Sequence, residues 1–457
     1  MFNPNIFKAY DIRGIFEKDF DLNFVYSLGQ TFPLLRRQDG DTDALKPLKI
    51  LVAHDMRLSS PAINQYLIQG LLSAGVEVID AGLLSTPAFY FAVSSQEADG
   101  GLMISASHNP KEWNGFKMVR AKSRPISGDS GINWLKDNIQ ETSQPDLQLT
   151  GKIIKLETAA SDQLAHDLNF IDIKTIKPLH VIVDTANGMG AQYLDLLSQK
   201  LPIILEKINF TMDGSFPAHE ADPLKEENMA QLQSEVLRRG ADLGIATDGD
   251  GDRIFFVDNL GKTIDPAIIR GLLAQIFLKD RPGSTICYDV RPGQITIDLI
   301  EEAGGKPMPA RVGHSLIKEQ MLKNNVYFAG ESSGHFFLNL DIGCFEMPII
   351  MIGKLLSLFS QYSPDIAAQL KTYQRYYHSG EINRSVTEKE KVFTLLREKY
   401  ADGHINELDG ISITYLDYWF NVRASNTEDK VRLNLEARTK EIMTDKRNEI
   451  LSIIESC

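Results

Sequence analysis

The sequence predicts an α/β protein in which three similar mixed α/β domains, each of about a hundred residues or somewhat more, precede a smaller C-terminal α+β domain. Three observations carry that reading. An apolar run closing on aspartate, then a polar loop, then a helix-like stretch, recurs three times along the chain. Another strand-like run follows each of those helices, and the pattern stops near residue 365. The length of 457 residues sets a prior of about three domains at roughly 150 residues each. A composition of 43% hydrophobic and 24% charged residues suits a globular chain with several buried cores.

The first repeat opens on KILVAHD at 49–55, followed by MRLSSP, the helical stretch INQYLIQGLLSAG and the strand-like VEVIDAG at 76–82. The second opens on LHVIVD at 179–184, followed by TANGMG, AQYLDLLSQK and IILEKINF at 203–210. The third opens on TICYD at 285–289, followed by VRPGQ, ITIDLIEEAGG and KPMPARVG at 306–313. Short continuous apolar runs bounded by turn residues read as strands buried on both faces, each feeding a turn and then a helix. Domains are accordingly expected at 1–148, 149–254, 255–365 and 366–457. SPDIAAQLKTYQRYYHSGEINRSV is the boundary into the last unit, which has strands in GISITYLDYWFNVRAS and VRLNLEA before an amphipathic helix, TKEIMTDKRNEILSIIES.

Forty-eight basic against 61 acidic residues give a net charge of −13. A surface of that sign does not attract nucleic-acid phosphates or anionic headgroups, so neither nucleic acid nor membrane is an expected partner. Cys287, Cys344 and Cys457 are far apart with no CxxC pair, which implies no disulfide framework and suits a reducing compartment. MFNPNIFKAYDIRG lacks the basic region and apolar core of a signal peptide, and the apolar run MPIIMIGKLLSLF is too short to span a bilayer and is broken by Lys354. A cytoplasmic location is expected.

Four loops hold more polar and charged residues than packing needs. SASHNP places Ser107 and His108 where a strand meets a loop, a position that suits an exposed nucleophile. TDGDGDR alternates Asp248, Asp250 and Asp252 with glycines, and three carboxylates that close call for a cation, with Mg²⁺ completed by a phosphate oxygen the natural occupant. Arg253, beside them, suits an anionic ligand. GESSGH matches the G-x-S-x-G elbow formally, but HFFLNLD after it reads as a strand where the elbow needs a helix. Its Glu331, Ser333 and His335 instead form an array suited to sugar hydroxyls. RASNTEDKVR frames short donors with Arg423 and Arg432, as an anion-binding loop does. Gly188-Met189-Gly190 does not continue as G-x-G-x-x-G, so nucleotide-dependent chemistry gains no support.

These four loops, in this order, resemble the α-D-phosphohexomutase superfamily, and within it the phosphomannomutase/phosphoglucomutase branch. The resemblance runs from KAYDIRG near residue 8 to RLNLEA near residue 437. It implies four domains around a central cleft and an enzyme that interconverts hexose 1-phosphate and hexose 6-phosphate, of mannose or glucose, through a phosphoserine and a hexose 1,6-bisphosphate. Ser107 would be the phosphoserine, and Asp248, Asp250 and Asp252 would hold Mg²⁺ together with an oxygen at Ser107. Arg253 would neighbour it, with Lys117 of NGFK and His108 or His335 as candidates for the general acid or base. Tyr10, Arg13, Arg291, His314, Glu331, Ser333 and His335 would line the substrate site. Arg423, Ser425, Asn426, Thr427 and Arg432 would grip the phosphate not being transferred. The implied partners are small sugar phosphates, with hexose 1,6-bisphosphate as activator, bound by a monomer or homodimer. Asp429 and Ser332 depart from the family's usual residues, and His54 and His219 read as local structural histidines. The competing reading is a sugar-phosphate binding protein without catalysis, which predicts no phosphate on Ser107.

Overall fold

The computed structural model describes residues 2–140, 150–291, 293–424 and 430–457. The chain forms two compact units. One comprises Met1–Ile264, Met321–Asn325 and Ser333–Ala367, the other Asp265–Gln320, Val326–Ser332 and Ala368–Cys457.

In the first unit, Lys49–His54 lies parallel to Glu77–Leu83 on one side and to Gly100–Ile104 on the other, and Trp113–Arg120 runs antiparallel beyond Gly100–Ile104. The second repeat copies this. Leu179–Asp184 lies parallel between Ile203–Ile208 and Leu243–Thr247, with Ile254–Val257 antiparallel at the edge. The first sheet adds Ile12–Ile15 and Lys152–Lys155 at its two ends. Continuous apolar strands bury Ile50, Val52, Leu102 and Ile104 against Phe20, Phe24 and Phe116. Each fully buried side chain of this kind is worth roughly 1.5–3 kcal/mol.

Helix Leu22–Gln38 starts at Asp21, whose side chain accepts the Phe24 N–H at 2.9 Å. It crosses helix Ser60–Ser73 at a pair of glycines: a Cβ on Gly70 would stand 2.2 Å from the Tyr26 carbonyl oxygen. The aspartates that close the opening strands of the first two repeats tie down the turns after them. Asp55 Oδ1 accepts the Arg57 N–H at 3.0 Å, and Asp184 Oδ1 accepts the Ala186 N–H at 2.9 Å.

The other unit holds the third repeat's parallel strands, with Thr285–Asp289 between Lys306–Ala310 and Phe328–Gly330. Its C-terminal part is an antiparallel sheet in which Lys430–Ala437 pairs with Tyr418–Ala424, followed by Ile411–Thr414 and His404–Asn406. Helices Lys389–Lys399 and Lys440–Glu455 complete this part, whose core buries Val392, Leu396, Phe420, Val422, Leu433, Leu435, Ile450 and Ile454. Phe336–Leu340 and Gly343–Glu346 pair as an antiparallel hairpin in the first unit. A strand therefore follows GESSGH, as the rejection of the hydrolase elbow required. The run MPIIMIGKLLSLF lies in the buried helix Pro348–Tyr362, and no helix among the described residues is long and apolar enough to cross a membrane.

Candidate active site

The serine loop leaves strand Gly100–Ile104 with Ser107 at φ 49°, a left-handed conformation that an L-residue adopts only under constraint. Its N–H donates to Ser105 Oγ at 2.9 Å, and its carbonyl accepts from Arg57 Nη2 at 2.7 Å. With both peptide groups held, Ser107 Oγ donates to Asp248 Oδ2 at 2.8 Å and lies 3.3 Å from His108 Nδ1. Burial, then the cations Arg253 and Arg13, push His108 well below the usual histidine range, so its ring is neutral near pH 7. Arg13 donates through Nη1 to Asn109 Oδ1 at 2.6 Å and pairs with Asp11, and Tyr10 is half-buried in the bend before Ile12–Ile15.

The aspartate loop leaves Leu243–Thr247 and returns as Ile254–Val257. Asp248, Asp250 and Asp252 are all buried, and one oxygen from each lies within 4.8 Å of the others. The loop comes so near the serine that a Cβ on Gly249 would stand 2.5 Å from the Ser107 carbonyl oxygen. Gly188 and Gly190 serve the same close packing: a Cβ on Gly190 would meet Thr247 Oγ1 at 2.2 Å.

Asp250 Oδ2 accepts from Thr86 Oγ1 and from Lys117 Nζ, each at 2.6 Å, and Lys117 Nζ also donates to Asp252 Oδ2. Burial opposes the Lys117 charge, yet Asp250 and Asp252 outweigh it and hold the ammonium well above the usual lysine range. Lys117 thus balances the charge of Asp250 and Asp252. Burial together with repulsion from Asp250 and Asp252 pushes Asp248 well above the carboxylate range, while against burial Lys117 and His335 hold Asp252 well below it. Asp250 Oδ1 is buried and accepts no hydrogen bond. Three hard oxygen donors, one of them orphaned, fit a divalent cation such as Mg²⁺.

Arg253 Nε lies 3.6 Å from Asp248 Oδ2 and donates to His335 Nε2 at 3.4 Å, while its buried Nη1 makes no hydrogen bond. That nitrogen is a ready donor for an anion. His335 completes the cluster, with Nε2 3.2 Å from Asp252 Oδ1 and Nδ1 2.9 Å from Ser333 Oγ. Glu346 brings a further carboxylate within 4.8 Å of both Asp252 and His335.

The remaining candidates lie in the other unit. Glu331 Oε1 accepts the Gly313 N–H at 2.8 Å, which fastens the loop leading to His314, and it lies 3.9 Å from Arg291 Nη2. Arg291 Nε donates to Asp289 Oδ2 at 2.6 Å. Arg423 and Arg432 face each other across neighbouring strands. Glu381 lies between them, accepting from Arg423 Nη2 at 2.9 Å and lying 3.5 Å from Arg432 Nη1. Against its burial, Arg423, Arg432 and Arg291 hold Glu381 below the usual glutamate range. Ser425, Asn426, Thr427 and Asp429 lie outside the described residues.

Four domains of one family match the chain in order. Alpha/beta/alpha domains I, II and III of phosphoglucomutase/phosphomannomutase match residues 4–146, 161–261 and 265–376, and the C-terminal domain matches 381–453. The chain belongs to the phosphoglucomutase/phosphomannomutase family. It is 34% identical to the phosphomannomutase of Vibrio cholerae serotype O1, over 98% of both chains. It is 35% identical to that of Methanocaldococcus jannaschii, over 98% of this chain and 97% of the relative. A phosphoglucomutase/phosphomannomutase family protein of Burkholderia thailandensis superposes with a TM-score of 0.87 at 29% identity, covering 100% of this chain and 98% of its own.

Membership makes the chain a phosphohexomutase enzyme, with the three similar α/β domains and distinct C-terminal domain expected of the family. Four groups of the site went unread in the sequence: Arg57, Thr86, Glu346 and Glu381. Their partners are carbonyls or side chains far along the chain, and no local pattern marks them. His54 and His219 make local contacts, with His54 Nδ1 2.8 Å from the Asp55 carbonyl oxygen and His219 Nε2 3.2 Å from Asp184 Oδ2.

Proposed function

We propose that this phosphohexomutase interconverts the 1-phosphate and 6-phosphate of mannose or glucose, through a phosphoserine at Ser107 and a hexose 1,6-bisphosphate. The observation that carries the proposal is the contact of Ser107 Oγ with Asp248 Oδ2 at 2.8 Å, at the edge of three buried carboxylates and next to Arg253. The phosphomannomutases of Vibrio cholerae and Methanocaldococcus jannaschii, similar over nearly their whole length, support the mannose side of the reading.

In the forward direction the Ser107 Oγ–P bond breaks and an O–P bond forms to the free hydroxyl of the hexose 1-phosphate. The hydroxyl proton passes to a base of the cluster, for which the imidazoles of His108 and His335 are the candidates. Reorientation of the bisphosphate lets its other phosphoryl group return to Ser107, leaving hexose 6-phosphate. Arg253 offers Nη1, which makes no hydrogen bond and lies 3.9 Å from Asp222 Oδ1, to the transferring oxygens, and Lys117 balances the aspartates. Asp248, Asp250, Asp252 and Ser107 are the residues that would hold Mg²⁺, which when bound neutralises charge on the transferring group. Tyr10, Arg13, Arg291, His314, Glu331, Ser333 and His335 contact the sugar. Arg423 and Arg432, with Ser425, Asn426 and Thr427, grip the distal phosphate and set the acceptor in line. Added hexose 1,6-bisphosphate acts as activator by restoring phosphate lost from Ser107.

The test compares kcat/KM on mannose, glucose and glucosamine 1-phosphates, with bisphosphate supplied, for wild type and Ser107→Ala. Turnover of the mannose or glucose ester that Ser107→Ala abolishes is the expected result. A preference for the glucosamine ester, or full activity in the variant, would refute the proposal.

A further inference from the structure

The MRLSS turn that follows the first repeat's opening strand has no part in the chemistry above. Its arginine is nonetheless fully buried, a placement that is costly unless the charge is balanced and most of its donors are engaged. The guanidinium of Arg57 spends its donors on one segment of main chain. Nη2 donates to the carbonyls of Ser107 and Asn109 at 2.7 and 2.6 Å, and Nη1 to those of Pro110 and Trp113 at 2.7 and 2.9 Å. Nε lies 3.2 Å from Asp55 Oδ2, so the charge is balanced from behind. The second repeat seals the group in. The ring of Phe216 lies over the guanidinium with its centroid at 5.1 Å, and a Cβ on Gly214 would stand 2.6 Å from the Arg57 Cα.

The segment Arg57 grips is the loop that carries Ser107. A serine at φ 49° relaxes to an ordinary backbone region unless both of its peptide groups are held. Ser105 Oγ holds the N–H side, and Arg57 holds the carbonyl side and the three carbonyls beyond it. We infer that Arg57 is a positioning residue for phosphoryl transfer, fixing the left-handed Ser107 so that its Oγ is aimed at the aspartate cluster. The inference rests on the reading of Ser107 as the phosphate carrier. Arg57 touches none of the groups assigned to the sugar or the distal phosphate except through Asn109, which also accepts from Arg13. Its effect therefore belongs in kcat. Lysine cannot replace it, because a single ammonium lacks the planar fork that reaches paired carbonyls on two sides.

The experiment uses the full-length enzyme, phosphorylated with glucose 1,6-bisphosphate, and follows phosphate transfer from Ser107 to glucose 1-phosphate by rapid quench. Arg57→Lys keeps the charge opposite Asp55, and Arg57→Gln is the second variant should Arg57→Lys fold poorly. Urea melts give the folded fraction of each. The expected result is a fall of about ten- to a hundredfold in the transfer rate and in kcat per folded molecule, with KM held within about threefold. Transfer at the wild-type rate, or a loss that only tracks the missing folded fraction, overturns the positioning role and leaves the phosphoserine reading intact. A wild type that turns over with no phosphate on Ser107 overturns both.

Discussion

Lys117 Nζ sits between Asp250 and Asp252, and that contact resolves a conflict of charge. Three buried carboxylates with oxygens within 4.8 Å of one another repel strongly in a medium that screens poorly. A cation must be present for the loop to hold its shape, and the chain supplies one from a strand of the first repeat. Lys117→Met should therefore lower the unfolding free energy by about 3 kcal/mol in urea melts run with EDTA, and added Mg²⁺ should recover part of the loss. An unchanged midpoint would contradict that role. The aspartates themselves were legible because three acidic residues alternating with glycine form a local pattern. Lys117 was read, through the resemblance, as a candidate general acid or base. That it pairs with Asp250 and Asp252 could not be read, because 133 and 135 residues separate the partners. Glu381 and Arg57 were silent for the same reason, since carbonyls and distant arginines leave no trace near them in sequence.

Three of the four candidate loops occupy equivalent connections. SASHNP follows strand Gly100–Ile104, TDGDGDR follows Leu243–Thr247, and GESSGH begins at the end of Phe328–Gly330, each of these being the parallel neighbour of its repeat's opening strand. Loops beyond the carboxyl ends of parallel strands are where such sheets place ligands, so the proposed function draws three of its loops from one repeated element. The opening strands were legible because a short apolar run ending in aspartate is a strong local signal. Helix Leu22–Gln38 was not read, since it lies ahead of the first repeated unit. Its packing is set by glycines, which no periodicity reveals. A methyl group at Gly70 would meet the Tyr26 carbonyl oxygen at 2.2 Å, so Gly70→Ala should cost about 1–3 kcal/mol of stability. Turnover per folded molecule should be unaffected, as urea melts paired with activity assays would establish. Wild-type stability in that variant would show that the two helices can separate freely.

A net charge of −13 describes the chain as a whole and argues against polyanion partners. The cationic candidate residues run against that sign: Arg13, Lys117 and Arg253 in one unit, Arg291, Arg423 and Arg432 in the other. Length alone suggests about three domains, the residue pattern predicts three repeats and one distinct C-terminal domain, and the four family domains along the chain bear that pattern out. The proposed function turns on phosphoryl transfer to and from one serine, Ser107. The most direct test is the mass of the intact protein and of its Ser107 peptide, before and after excess hexose 1-phosphate is added to enzyme charged with hexose 1,6-bisphosphate. A gain of about 80 Da that maps to Ser107 and transfers to the sugar on mixing is the predicted result. An enzyme that turns over while Ser107 stays unmodified throughout would contradict it.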